Sequence, residues 1–445
     1  MTSRAREAAL RALMEVTERG RQAEEVLDRY LEASSLEGRD RALFTELLYG
    51  TVRRLNTLDW MLNHFASRPI DEVPPPIRAI LRTAAYQVMY LERVPPRAAV
   101  HEAVNLAKRY GHRGTAGFVN GVLRALVRGH DRVTWPADPV ARLALEGSHP
   151  EWMVDRWLER FGEDATRQLL RWNNRRPPLT VRPNPLRATA RELVEDLAQR
   201  GFKVRTHQLF TDLVVLEGPG RLREVPGFRE GLFTVQSAAS YLVGRVVAPK
   251  AGEAVLDLCA APGTKTTQLA EMMENRGRVL AVDVNPERLK LVGDAAERLG
   301  LTIVETAALD ARRLGDAVSD RFARVLVDAP CSGLGVLARN PDARWRKQPG
   351  DIRKLAELQS EILKEACRMV APGGVLVYST CTTEPEENQC QIEQLLAERD
   401  DFEAEDIRPY LPEVLRGAAS STGVQLYPHL HQLDGFFIAR LRRKA

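Results

Sequence analysis

Hydrophobic positions recur at helical spacing through the first 130 residues, as in Ala9-Leu10-Arg11-Ala12-Leu13-Met14-Glu15-Val16 and again in Arg41-Ala42-Leu43-Phe44-Thr45-Glu46-Leu47-Leu48. One apolar stripe per helix needs other helices to bury it. Residues 1–130 are therefore expected to form an all-helical bundle, punctuated by Pro74-Pro75-Pro76 and Pro95-Pro96. Residues 129–148 carry Pro136 and Pro139 without clear periodicity, which predicts a joint. Beyond it, Trp152 to Leu170 reads as a helix, Leu179-Thr-Val-Arg as extended, Ala190 to Gln199 as a helix and Asp212-Leu-Val-Val-Leu as a strand. These elements predict a small α/β subdomain over 145–235.

From about residue 250 the rhythm becomes strand, turn, helix. The strands expected are Ala254-Val-Leu-Asp-Leu, Arg278-Val-Leu-Ala-Val-Asp, Leu301-Thr-Ile-Val, Arg324-Val-Leu-Val-Asp and Gly374-Val-Leu-Val-Tyr. Short apolar runs separated by amphipathic helices predict a mostly parallel, doubly wound sheet in a domain spanning 236–445. Ligands of such sheets sit outside the carboxyl ends of the strands, so the residues just after each run are the candidates for chemistry.

Composition narrows the function classes. No window reaches the roughly 18 consecutive apolar residues of a membrane span, and Met1-Thr-Ser-Arg-Ala-Arg-Glu leads into a charged amphipathic pattern rather than the apolar core of a signal peptide. A cytoplasmic location is expected, with no membrane partner. Cys259, Cys331, Cys367, Cys381 and Cys390 are too few and too scattered for a disulfide framework, and no Cys-x-x-Cys pair is present. Free thiols and no metal are expected. The net charge of +4 is unevenly spread. Residues 51–250 hold 31 Lys+Arg against 20 Asp+Glu, a balance of +11, whereas residues 251–445 hold 25 against 30, a balance of −5. If a nucleic acid is bound, the earlier part grips its backbone; solvated charged faces are the plain alternative.

The first strand of the large domain runs into Asp257-Leu-Cys-Ala-Ala-Pro-Gly-Thr-Lys-Thr266, a tight turn opening a helix. Gly263 permits close backbone approach and the helix amides suit a polar or anionic ligand. Asp283 ends the second strand twenty residues later, where a carboxylate can accept hydrogen bonds from ribose hydroxyls. The Gly-x-Gly-x-x-Gly of a dinucleotide enzyme is missing, so the choice lies between a nucleoside cofactor and a plain strand-to-helix turn. Asp310 follows the third strand, in reach of an adenine amino group or simply as a helix cap.

The fourth strand runs directly into Asp328-Ala-Pro-Cys-Ser-Gly333 and the fifth into Ser379-Thr-Cys-Thr-Thr383. Neighbouring strands thus carry Cys331 and Cys381 to one crevice. A lone cysteine there reads as a small core residue; two at matching strand ends read as chemistry. Carbon 5 of cytosine is a poor nucleophile, and a thiolate adding at carbon 6 gives it enamine character. Asp328 can then hold the N3 and N4 edge of the base, which must be unstacked to enter.

These runs, Asp257 to Thr266, Asp328 to Gly335 and Ser379 to Glu387, resemble the motifs of the NOL1/NOP2/Sun family of RNA cytosine-5 methyltransferases. Ile80 to Gln87, Ala99 to Asn105 and Phe118 to Arg124 resemble the NusB fold, which commonly binds RNA, and the combination resembles the bacterial RsmB (Sun/Fmu) type. The likeness extends through Arg182-Pro-Asn-Pro185, Arg339-Asn-Pro-Asp-Ala-Arg-Trp345 and Asp434-Gly-Phe-Phe437. It implies a NusB-like front end, an RRM-like linker and a Rossmann-like class I methyltransferase domain. It also implies S-adenosyl-L-methionine as cofactor and a cytosine of 16S ribosomal RNA, free or in an early assembly intermediate, as substrate of a monomeric enzyme. Transfer RNA is the alternative substrate, and a non-catalytic RNA-binding protein the alternative class. Carried over, Cys381 is the nucleophile and Cys331 the release helper, with Asp328 beside them. Cys259, Ala260, Ala261, Pro262, Gly263, Thr264, Lys265, Asp283, Arg288, Asp310 and Asp328 line the cofactor pocket. The family's second glycine is Thr264 here. Lys265 either meets the cofactor carboxylate or starts a helix, and Arg339 and Arg344 either hold phosphate or solvate a loop. A DNA cytosine-5 methyltransferase would use its Pro-Cys cysteine, here Cys331, as nucleophile instead.

Overall fold

The computed structural model describes residues 3–34, 36–218 and 222–445. Met1 and Thr2, where the helical domain was expected to open, lie outside that range. By packing, the chain divides into two units, Met1–Arg176 with Leu337–Lys347 and Pro177–Val336 with Gln348–Ala445.

The first unit is helical. Arg4–Arg19, Ala23–Ala33, Gly38–Arg53, Leu55–Phe65, Pro75–Tyr90, Pro96–Tyr110 and Arg113–Gly129 turn their apolar stripes inward on one core that includes Leu10, Leu13, Phe44, Leu47, Ile80 and Leu123. Each such side chain contributes about 1.5–3 kcal/mol on burial. Pro75 and Pro96 do more than interrupt: each opens a helix, where a missing N–H and a fixed φ cost nothing. The expected joint at 129–148 is partly wrong. Asp138 accepts the Ala141 N–H at 2.7 Å and Pro139 starts a helix, Pro139–Gly147, too short for its stripe to stand out. It packs on Glu151–Asn173, which departs from helical geometry at Gly162. Both pack with the helical unit, which by packing runs to Arg176.

The second unit holds two sheets. The smaller consists of β1 (Leu179–Pro183), β2 (Lys203–Thr206), β3 (Val214–Glu217) and β4 (Phe233–Val235), ordered β2-β3-β1-β4 with every neighbour antiparallel. With helix Ala190–Gln199 crossing from β1 to β2, this is the ferredoxin-like, RRM-like order. The larger sheet contains β5 (Ala254–Leu258), β6 (Arg278–Asp283), β7 (Val304–Ala308), β8 (Phe322–Asp328), β9 (Val370–Thr380), β10 (Phe402–Ala404), β11 (Val424–Leu426) and β12 (Phe436–Arg443). Its order is β10-β12-β9-β8-β5-β6-β7, with β11 also on β12. β5 to β9 are parallel and β12 is antiparallel to β9, a Rossmann-like doubly wound arrangement with an antiparallel edge. The third strand begins where the sequence expectation ended. Leu301 is claimed by the helix before it: Gly300 is left-handed and the Leu301 N–H closes the helix on Ala296 O.

Candidate active site

Strand register brings the two sulfurs together. β8 and β9 pair with Asp328 opposite Ser379, and the Ala329 N–H continues the ladder to Ser379 O at 2.9 Å. Three residues past Asp328 and two past Ser379, Cys331 Sγ and Cys381 Sγ stand 3.2 Å apart. Ser379 Oγ donates to Asp328 Oδ1 at 2.8 Å and Lys265 Nζ to Asp328 Oδ2 at 2.6 Å, so both carboxylate oxygens are fixed beside the thiols.

A cleft of about 520 Å³ opens at the carboxyl edge of the sheet, a size suited to a small-molecule cofactor. Cys259, Ala261, Asp283, Arg288, Asp310, Asp328, Cys331 and Cys381 line it. The loop is ordered by its own contacts. Asp283 accepts the Ala261 N–H at 3.1 Å and the Asn285 N–H at 2.9 Å, and Arg288 donates to Ala261 O at 3.1 Å. The helix Thr264–Met272 starts from Gly263 without a side-chain cap. Gly263 has φ +98°, and a Cβ there would stand 2.9 Å from Val292 Cα. The close approach it permits is thus to the helix Pro286–Leu299. Ala260, Pro262, Gly263, Thr264 and Lys265 belong to the same turn and helix start but are not among the residues lining the cleft. Asp310 caps the turn Ala311–Asp316 and pairs with Arg312 while facing the cleft.

Charge in the cleft is graded. The Cys331 thiol is held well above its usual range, first by its contact with Cys381 and then by burial, so it stays protonated. Burial also raises the Cys259 thiol, with Asp283 and Asp328 adding to it. Burial pushes the Asp257 carboxyl up to about 7, against a 2.6 Å hydrogen bond from Thr266 Oγ1. Burial would lower Lys265, but contact with Asp328 outweighs it and keeps the ammonium charged. All five cysteines are free, and among the described residues no cluster of three His, Cys, Asp or Glu side chains is placed to hold a metal. Among the described residues, no helix is long and apolar enough to cross a membrane.

Residues 245–442 match the family model described as 16S rRNA methyltransferase RsmB/F, residues 3–128 the NusB family, and residues 149–223 the RsmF/B-like ferredoxin-like domain. The chain is 41% identical over 442 residues to the probable ribosomal RNA small subunit methyltransferase B of Bacillus subtilis, covering 99% of this chain and 98% of that one. The chain belongs to the RsmB family. The Klebsiella pneumoniae ribosomal RNA small subunit methyltransferase B is 34% identical over 443 residues, 99% of this chain and 98% of that one. Among solved structures, PH0851 superposes with a TM-score of 0.85 at 27% identity, covering 100% of this chain and 99% of that one. A methyltransferase homolog protein from Pyrococcus horikoshii gives 0.59 at 29% identity, over 69% of this chain and all of that one.

Within this RsmB-family chain, the remaining motifs support the site rather than line it. Arg182, buried on β1, donates to both oxygens of Glu271 and to Thr264 O, clamping the helix that follows the cofactor turn. Gly435 of the Asp434-Gly-Phe-Phe437 run donates its N–H to Gly335 O at 2.8 Å, and Gly335 donates to Cys381 O at 3.0 Å. A Cβ on Gly335 would fall 2.1 Å from Gly435 O, so only glycine fits. Arg344 does not hold phosphate. It is fully buried in the helical unit and donates to Ser148 O, Asn173 O and Asn174 Oδ1 at 2.9–3.0 Å, while Trp345 Nε1 donates to Val52 O.

Three further positions had no reading of their own in the sequence. Glu387 is buried and accepts the Ser332 N–H (2.8 Å), the Ser332 hydroxyl and Gln359 Nε2 (3.0 Å), fixing the residue after Cys331. Ser332 Oγ in turn meets Thr382 Oγ1 at 2.7 Å, linking the two cysteine loops. Val284, 71% exposed, offers an apolar face in the cleft beside Asp283. Its position after an acidic strand end was the one available signal.

Proposed function

We propose that this chain transfers a methyl group from S-adenosyl-L-methionine to carbon 5 of a cytosine in 16S ribosomal RNA, with Cys381 as covalent nucleophile. The observation that carries the reading is the pair of sulfurs 3.2 Å apart at adjoining strand ends, opening on a cleft that also presents Asp283. The relatives' names, ribosomal RNA small subunit methyltransferase B, supply the substrate class.

The cleft fits an adenosyl group. Asp283 has acceptor capacity left for ribose hydroxyls, Val284 offers an apolar face to a planar ring, and the uncapped helix at Gly263 suits a carboxylate. S-adenosyl-L-methionine supplies an electrophilic methyl group. The Cys381 thiolate adds to carbon 6 of the flipped base, and the electron pair moved to carbon 5 would take the methyl group as the donor's sulfur–methyl bond breaks with its electrons staying on sulfur, leaving a neutral thioether. Asp328 holds the N3 and N4 edge. Transfer of the carbon 5 proton to a solvent water then restores the ring double bond as the Cys381 sulfur leaves carbon 6 as a thiolate. Cys331, next to that sulfur and held as a thiol, assists the release.

Single substitutions test the division of labour. Cys381→Ala abolishes methyl transfer to 16S ribosomal RNA, whereas Cys331→Ala leaves an RNA adduct that survives a denaturing gel. An adduct retained by Cys381→Ala and lost in Cys331→Ala would reverse the roles. Cofactor binding without methyl incorporation into any RNA would remove the catalytic reading altogether.

A further inference from the structure

Five cations surround one groove of the helical unit, and none of them has a partner within the described residues. The groove, about 1060 Å³ in volume, runs along the helices Pro96–Tyr110 and Arg113–Gly129, with Arg97, Lys108, Arg113, Arg124 and Arg128 on its rim. All five are exposed and no Asp or Glu lines the groove. They make no ion pair or side-chain hydrogen bond among the described residues. Several other arginines of the same unit are paired, Arg11 and Arg109 with Glu7, Arg78 with Glu18 and Arg82 with Asp59, whereas no acid among the described residues reaches any of the five.

Helix physics accounts for Lys108 and Arg128, which stand in last turns where the macrodipole favours cations, but not for the other three. Arg97 and Arg113 stand in the first turns of their helices, where the macrodipole favours acids, and neither first turn contains one. The floor between the cations is mostly apolar, with Val100, Val104, Ala116 and Val127, and His101 and Asn120 as its polar groups. Gly117 widens it. An exposed glycine in mid-helix weakens the helix relative to alanine, and a Cβ there would meet nothing within 4 Å, so internal packing does not require it.

The two-residue turn Gly111-His112 makes the helices antiparallel, with Lys108 and Arg113 at one end of the groove and Arg97, Arg124 and Arg128 at the other. Arg97 and Lys108, eleven positions apart, are separated by about 16 Å of helix. Cations at both ends of an apolar floor match a short stretch of polymer with repeated anions and planar faces between them. A duplex keeps its bases stacked inside and would leave the floor uncovered. We infer that this groove holds a single-stranded segment of the substrate RNA, with phosphates on the five cations and an unstacked base on the valine floor. The inference rests on the RNA methyltransferase reading and adds a grip that the catalytic cleft does not provide.

Two variants of the full chain test it against a single-stranded fragment of 16S ribosomal RNA. Arg97→Gln/Arg113→Gln/Arg124→Gln lowers affinity at least tenfold and reduces the slope of log affinity against log salt by about 2, at roughly 0.7 per phosphate contact on a single strand. Gly117→Leu raises helix propensity, so the melting temperature does not fall, yet the filled floor lowers affinity. In both, KM for RNA rises while kcat at saturating RNA is kept. Unchanged affinity and salt slope in the triple variant overturn the inference. So does a loss confined to duplex RNA, or a loss of poly-glutamate binding with RNA binding intact, which would mark an acidic protein as the occupant. Binding is read without turnover: a wild-type protein that binds the fragment through these cations but methylates no RNA would refute the proposed function and leave the groove standing.

Discussion

Replacing Glu387 by Gln isolates the placement of Cys331 from the chemistry of Cys381. All three polar contacts of the Glu387 carboxylate are donors: the Ser332 N–H, the Ser332 hydroxyl and the Gln359 amide. An acceptor-only carboxylate satisfies all three, and a glutamine of the same volume puts a donor among them. One buried mismatch of this kind costs about 1–3 kcal/mol, a factor of roughly 5–150 where it is expressed in a rate. The cost falls on the Pro330-Cys331-Ser332 turn. The Cys381 turn retains two anchors independent of Glu387, Asn388 Nδ2 to Thr382 O at 3.1 Å and the Gly335 N–H to Cys381 O. Glu387→Gln is therefore expected to slow release of methylated RNA roughly 5–150-fold, while covalent addition changes by less than about threefold. Single-turnover assays with a labelled methyl donor, sampled on denaturing gels, separate the two steps, and a melting curve checks the fold. Release at the wild-type rate, or addition falling as far as release, would refute the reasoning.

Two other perturbations probe buried charge. Asp257 titrates at about 7 in the folded chain against 3.8 for a free carboxyl, because burial disfavours its charged form. Its contribution is fully present below about pH 4 and is lost as pH rises through 7, some three pH units or roughly 4 kcal/mol. Asp257→Asn removes that loss, so in urea unfolding of the cofactor-free protein the variant gains on the wild type between pH 4 and 7 and is the more stable at pH 8; parallel curves would show the carboxyl to be unstrained. Arg344→Lys keeps the charge but not the planar fork that reaches Ser148 O, Asn173 O and Asn174 Oδ1 together. It should destabilise the helical unit by about 2–4 kcal/mol, lowering its melting temperature by roughly 5–15 °C in calorimetry; a wild-type transition would mean the fork is dispensable.

The parallel strands and both cysteines were legible because each signal is local. An apolar run ends, and the next residues carry the chemistry, so Asp283, Asp328, Cys331 and Cys381 could be placed at one sheet edge before any coordinates. Missed elements were short or depended on distant partners. Strand β4 is three residues long, and helix Pro139–Gly147 is announced only by Asp138 and Pro139. Leu301 looked like the start of a strand because apolar helix closures and apolar strands share a pattern. Glu387 and Arg344 are polar residues in a chain with many charges, and only folding shows that they are buried. The turn glycine at 263 reads as room for a ligand, whereas what stands against it is the protein's own Val292.

The helical unit borrows Leu337–Lys347 from a much later part of the chain, and that has a consequence for synthesis. When Arg176 emerges from the ribosome, 171 residues remain before Lys347. At about 5–20 residues per second this is a delay of roughly ten to thirty seconds. Throughout it the nascent front end has carbonyls at Ser148 and Asn173 awaiting a guanidinium that has not been made. A chaperone or an RNA strand that engages the unfinished bundle has that interval in which to act, and a chain cut before Leu337 would lack the Arg344 and Trp345 contacts that close the far end of this unit.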